Sequence, residues 1–191
     1  MQSGASEVKR LTFITGPPRT GKTTVLLNVA EELRARNCKL GGMVSQEIRE
    51  RGTRVGFEIR DYATGRTGWL AHIRQLAGPR VGKYRVNLDN LQAIGSTAIE
   101  NAVKEADVVL IDEIGPMESL SNAFRSAVQQ AIASSKPVLG TIHYRAQHPL
   151  VRQVKSRPDA IIVDITEEGR SLIAKLIAEQ VMAILKTSTV E

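Results

Sequence analysis

Eight residues near the N-terminus, Gly16-Pro17-Pro18-Arg19-Thr20-Gly21-Lys22-Thr23, follow the spacing G-x-x-x-x-G-K-[ST] without a mismatch, and no other feature constrains the chain as tightly. Before them, Leu11 to Thr15 reads as a short buried strand. After them, Val25, Leu26, Val29, Ala30 and Leu33 recur at helical spacing, and the helix should end near Asn37. A glycine-bearing loop between a strand and a helix presents successive amides and a helix N-terminus to anionic oxygens, so Gly16 through Thr24 are expected to bind phosphate. Pro17 and Pro18 have no N–H, which leaves Arg19, Thr20, Gly21, Lys22, Thr23 and Thr24 as the main donors. Lys22 should extend its ammonium to β- and γ-phosphates, and the Thr23 hydroxyl should ligate Mg²⁺. A chance glycine-rich turn would lack this strand-and-helix context.

Further along, Val108-Val109-Leu110-Ile111 runs into Asp112-Glu113. Alone, this reads as a strand ending in two solvated acids. Paired with the loop at Gly16, Asp112 becomes the carboxylate that completes a metal site from the tip of a neighbouring parallel strand, usually through bound water. Glu113 could orient the water attacking a γ-phosphorus or take its proton, and this adjacent acid points toward hydrolysis. Thr141 and His143 close the next strand along the chain and are candidates to sense the γ-phosphate or position water, with a structural hydrogen-bonding role competing for His143. Arg19, Arg49, Arg51, Arg54 and Arg66 are available to stabilise charge on a transferring phosphoryl group, each with a surface role as the competing reading. His72 and His148 have no partners at metal-ligand spacing, and Cys38 has no identifiable base.

Strand and helix signals alternate along the chain. Apolar–polar alternation around Met43 to Ile48 and Val55 to Asp61, interrupted by Arg51-Gly52, predicts an antiparallel hairpin. A short helix is expected over Trp69 to Leu76 and a strand near Tyr84 to Val86. Helices are expected over Ser96 to Glu105, Ser121 to Ala133 and Glu168 to Lys186, with strands at Val108 to Asp112, Val138 to Ile142 and Ala160 to Ile165. Strands that are apolar throughout and alternate with helices indicate an α/β fold, a mostly parallel sheet with helices on both faces. A single domain over residues 1–191 is expected, with an antiparallel hairpin insertion over roughly 41–85.

The 191 residues are 42% apolar and 24% charged, the balance of a soluble globular chain. No apolar stretch is long enough to cross a membrane, the polar start from Met1 to Lys9 leaves no room for a signal peptide, and one cysteine cannot make an internal disulfide; a cytoplasmic location is expected. The net charge is +6, and Gly41 to Arg85 carries nine basic against four acidic residues. Such an excess can attract phosphate-bearing partners, but the seven aromatics provide no stacking platform for single-stranded nucleic acid, and composition alone does not establish nucleic-acid binding. No long exposed apolar helix demands a partner, so a monomer is expected.

Beyond the loop, Ser45-Gln46-Glu47-Ile48-Arg49-Glu50-Arg51-Gly52-Thr53-Arg54-Val55-Gly56-Phe57, Val81-Gly82-Lys83-Tyr84 and Asp112-Glu113-Ile114-Gly115-Pro116-Met117-Glu118 occur in one order. Together they resemble the THEP-type nucleoside-triphosphatases, the family that includes the human cancer-related nucleoside-triphosphatase, over nearly the whole chain. The resemblance implies a RecA-like P-loop NTPase core, Mg²⁺ dependence, and hydrolysis of ATP, GTP, CTP, UTP and TTP with little base discrimination. It carries phosphate and metal binding to Lys22 and Thr23, the metal site to Asp112 and acid/base catalysis to Glu113, and it favours Arg49 and Arg54 among the arginines. Gln46, and Ser171 after Arg170, depart from the family's usual residues away from this chemistry. Two other readings stay open: a kinase passing the γ-phosphate to a nucleotide or polynucleotide end, with residues 41–85 as lid or acceptor site, and a nucleotide-controlled binding switch.

Overall fold

The computed structural model describes residues 9–166 and 168–188; residues 1–8 of the polar N-terminal stretch lie outside them. Among the described residues nine strands form one sheet, in the order β5-β6-β4-β3-β2-β7-β8-β1-β9. Five of them make a parallel core: β2 (Leu40–Glu50), β7 (Val108–Ile114), β8 (Val138–Ile142), β1 (Leu11–Thr15) and β9 (Ala160–Asp164). Their side chains divide by the two-residue period of a strand. Ile14, Val108, Leu110 and Leu139 face α1 (Lys22–Arg34) and α6 (Arg170–Ser188), while Phe13, Val109, Ile111 and Ile142 face α3 (Thr97–Glu105) and α4 (Asn122–Ala133). Both faces are therefore dry along β1, β7 and β8, which is why these central strands read as apolar runs.

The expected hairpin is the start of a larger extension. β2 pairs parallel with β7 from Leu40 to Met43, then continues antiparallel to β3 (Thr53–Asp61) as far as Glu50. Beyond β3 lie β4 (Thr67–His72), β6 (Tyr84–Val86) and the two-residue β5 (Arg80–Val81). The helix expected over Trp69 to Leu76 is thus a strand as far as His72, followed by a turn at Ile73 and Arg74. Leu70 and Ala71 are buried and Trp69 stacks on the buried His72, so ladder bonds to β3 and β-favouring side chains outweigh a helix too short to hold itself. The His72 Nδ1 accepts the Arg74 amide, a structural role.

The helix expected from Ser96 begins earlier, as α2 (Leu88–Asn90), capped by the Asn87 side chain, and passes through a π-helical turn at Leu91–Ser96 into α3. Gly95 lies in that turn against Ile59 and Met43, where a Cβ would stand 2.5 Å from the Ile59 Cδ1. The glycine marks close packing on the sheet and does not interrupt the helix. A helix that the periodicity left unassigned, α5 (Pro149–Lys155), opens on Pro149 with the His148 Nδ1 accepting the Leu150 amide, which gives His148 a capping role.

Gly42 sits in β2 at φ 119°, and a Cβ there would come within 2.1 Å of the Leu110 carbonyl oxygen on β7. Both strain and clash oppose any side chain, so Gly42→Ala should lose about 3 kcal/mol of stability, read from the urea midpoint. At the other end of the core, Asp159 accepts two bonds from Arg157 (2.8 and 2.9 Å) and pairs with Arg10 at 3.1 Å. The Arg157 hydrogen bonds hold its carboxyl below the ordinary value, against the opposing effect of burial. A depressed folded pKa adds stability that is complete above the free value, about 4, and fades as pH falls through the folded value. Asp159→Asn should therefore unfold at lower denaturant than the parent at neutral pH, with the gap closing in acid.

Candidate active site

α1 opens on Gly21 at φ 85°, with no side-chain cap and no acidic residue in its first turn. The electropositive helix N-terminus is thus left for a ligand to complete. Arg170, at the start of α6, lies over Gly21 so closely that a Cβ there would stand 2.5 Å from its Nη1. The Thr20 hydroxyl closes the loop on the Pro17 carbonyl at 2.9 Å, while Lys22 Nζ donates to the carbonyls of Gly16 and Pro17 at 3.2 and 3.4 Å. Thr20 is buried, whereas Pro17, Pro18, Arg19 and Thr24 are exposed around the mouth of the loop.

Asp112, 1% exposed, is where the strands converge. Its carboxylate accepts the hydroxyls of Thr141 at 2.6 Å and Thr23 at 3.0 and 3.2 Å, and the amide and hydroxyl of Ser45 at 3.4 Å. Burial pushes its pKa up and these donors pull it back. β7 is not the immediate neighbour of β1: β8 stands between them and Thr141 bridges the gap. The peptide joining Asp112 to Glu113 is cis. The Glu113 Oε1 is buried without a hydrogen-bond partner among the described residues, and burial raises this carboxyl to about 7, with Lys22 opposing and Asp112 adding to the rise. Glu118 is buried and raised to about 8, by burial first and then by Glu113. The two carboxyl groups bracket Gly115.

A cavity of about 820 Å³ joins these parts. Gly16, Pro18, Arg19, Gly21, Lys22 and Thr23 line one side, and Glu113, His143 and Arg54 face them. The His143 Nδ1 accepts the Arg145 and Ala146 amides, and burial, then Lys22 and Lys155, lowers its pKa. Arg49 is not brought in; it binds Glu47 at 2.6 Å and the Gly52 carbonyl at 3.0 Å. Arg51 occupies the β2–β3 turn, and Arg66 donates to the Ala93 carbonyl. Ser45 and Glu118 were not anticipated as site residues. Ser45 could have been found only by knowing that β2 runs beside β7, and Glu118 only by knowing that the chain folds back after Gly115.

A phosphate-gripping loop behind the first strand, with a carboxylate delivered to it from two strands away, is the arrangement of a P-loop NTPase. A family model described as NTPase matches residues 11–178. The chain is 47% identical over 174 residues to nucleoside-triphosphatase THEP1 of Thermofilum pendens, covering 91% of this chain and 96% of that protein. Against the Methanosarcina acetivorans THEP1 the identity is 47% over 79% of this chain and 86% of the relative. The crystal structure of THEP1 from Aquifex aeolicus superposes with a TM-score of 0.78 at 31% identity, over 87% of this chain and 96% of that one. The solution structure of a human cancer-related nucleoside triphosphatase gives 0.77 at 32%, over 91% and 98%. The chain belongs to this NTPase family.

Thr141 is fully buried and supplies the shortest bond to Asp112. Thr141→Val keeps the volume but strips that donor from an enclosed carboxylate, so stability should fall by about 1 to 3 kcal/mol, measured by thermal or urea unfolding.

Proposed function

We propose that the chain hydrolyses nucleoside triphosphates to diphosphate and phosphate, with Mg²⁺ as cofactor and broad tolerance of the base. The observation that carries this reading is the Thr23–Asp112 contact at 3.0 Å, which brings the end of the phosphate loop and the acidic strand tip into one site. The donor set fits a hard cation: the Thr23 hydroxyl, the Asp112 carboxylate and the Ser45 hydroxyl are all oxygens, and Mg²⁺ typically takes one or two carboxylates with water and phosphate oxygens. When bound, Mg²⁺ would neutralise charge on the β- and γ-oxygens.

The amides at the start of α1 bind the triphosphate, and Lys22 exchanges the carbonyls of Gly16 and Pro17 for the β- and γ-phosphates. Glu113, which lines the same cavity as Lys22, orients the attacking water and takes its proton. His143 and Arg54 border the γ-phosphate end, and Thr141 acts through Asp112 as a positioning residue. Recognition addressed to the phosphates leaves the base little say, in keeping with turnover of ATP, GTP, CTP, UTP and TTP alike. The whole chain acts as one domain, as a cytoplasmic monomer.

Glu113→Gln should lower kcat by about 10² to 10⁴ while KM for ATP stays near the parent value, as seen in a phosphate-release assay. Parent-like turnover would remove Glu113 from the mechanism. Chelation with EDTA should abolish phosphate release with all five nucleotides, and added Mg²⁺ should restore it; activity persisting in EDTA would rule out the metal.

A further inference from the structure

Both motif glycines of the phosphate loop lie against one segment distant in sequence, the connection from β9 into α6. A Cβ at Gly16 would stand 2.7 Å from the Ile165 carbonyl oxygen. One at Gly21 would stand 2.5 Å from the Arg170 Nη1, and 3.3 and 3.5 Å from its Cδ and Cζ. Main chain and core hold the segment there. The Ile165 amide donates to the Thr15 carbonyl at 2.9 Å, and Ile165 is fully buried. Ala174, Ile177 and Ala178 of α6 belong to the same apolar cluster as Val25, Leu26 and Val29 of α1. The half-buried Arg170, first residue of α6, thus reaches the loop from a fixed helix start.

The loop has two ends. Lys22 Nζ lies by the carbonyls of Gly16 and Pro17, and a lysine in this position addresses β- and γ-phosphates. The γ end of a triphosphate therefore belongs with Lys22, Glu113 and His143 in the cavity, and Arg170 is not one of the described residues that line it. The first amides of α1 cradle the α- and β-phosphates, and the Arg170 guanidinium lies over Gly21, immediately before those amides. The first turn of α1 has no acidic residue, so the helix N-terminus, Lys22 and Arg170 add their positive potential at one place. A guanidinium presents a fork of N–H donors that suits phosphate oxygens.

We propose that Arg170 is a nucleotide-binding residue, whose guanidinium donates to the α- and β-phosphate oxygens and so holds substrate triphosphate and product diphosphate alike. This rests on the triphosphate-binding role assigned above to the loop. The contact exists before and after the γ-phosphoryl group leaves, so it supplies uniform binding and its loss falls on KM more than on kcat. It addresses no atom of the base.

Calorimetric titration with ADP, with CDP and with a non-hydrolysable ATP analogue, all in Mg²⁺, reads the contact directly. Arg170→Ala should weaken all three by one common factor of about tenfold or more, and KM for ATP should rise to a similar extent. Arg170→Gln keeps the stem against Gly21 but loses the charge, and should bind as weakly. Arg170→Lys should recover part of the affinity, and added salt should narrow the gap between the parent and the Gln variant. These two conservative variants keep the measurement usable should Arg170→Ala fail to fold. Parent-like affinity in Arg170→Gln would assign the side chain to packing and overturn the proposal. A loss confined to ADP would mark stacking on a purine, and a loss confined to the analogue, with a fall in kcat, would mark contact with the γ-phosphate; either overturns it and leaves hydrolysis standing. Should the parent protein bind none of the three nucleotides, the reading of the loop falls as well.

Discussion

The enclosed carboxylate of Asp112 is the constraint around which the remainder of the structure is organised. A buried charge is tolerated only where donors surround it, and here the donors come from Thr23 at the start of α1, Thr141 on β8 and Ser45 on β2. These groups are far apart along the chain. Satisfying them together requires β2, β7 and β8 to lie side by side with α1 crossing at their carboxyl ends, and this is the strand order observed. The hydrogen-bonding requirement of one side chain and the adjacency of three strands are thus two descriptions of the same fact.

Much of this was readable from the chain alone where the cause is local. β1, α1, β8 and α4 announce themselves through continuous burial, through periodicity, or through a cap such as Ser121, whose hydroxyl accepts the Phe124 amide. The loop and the Asp112–Glu113 tip were legible because each is a motif whose residues lie within a few positions of one another in the chain. What escaped depends on neighbours distant in sequence. β4 is a strand because β3 lies beside it, and the π-helical turn at Leu91–Ser96 exists because Gly95 lets a helix settle on Ile59. Ser45 and Glu118 are ordinary residues until the sheet places them, one beside Asp112 and the other beside Glu113. The arginines divide for the same reason: Arg54 is turned into the cavity by Tyr84 and Glu47, while Arg49, only five positions away, is consumed by its own hairpin.

The active cavity is assembled from two kinds of architecture. The parallel core contributes the loop from Gly16 to Thr23 and the Asp112–Glu113 tip, and the antiparallel extension adds Arg54, Phe57 and Val81 to the lining of the same cavity. The second therefore lines part of the cavity with side chains that belong neither to the loop nor to the Asp112–Glu113 tip.

β2 belongs to both architectures without a break: its first four residues are laddered to β7 and its remainder to β3, with Ser45 just past the changeover. That continuity has a mechanical consequence: a tilt of the outer strands is carried along one backbone to the point where Ser45 meets Asp112, so the margin of the sheet and its centre cannot shift independently.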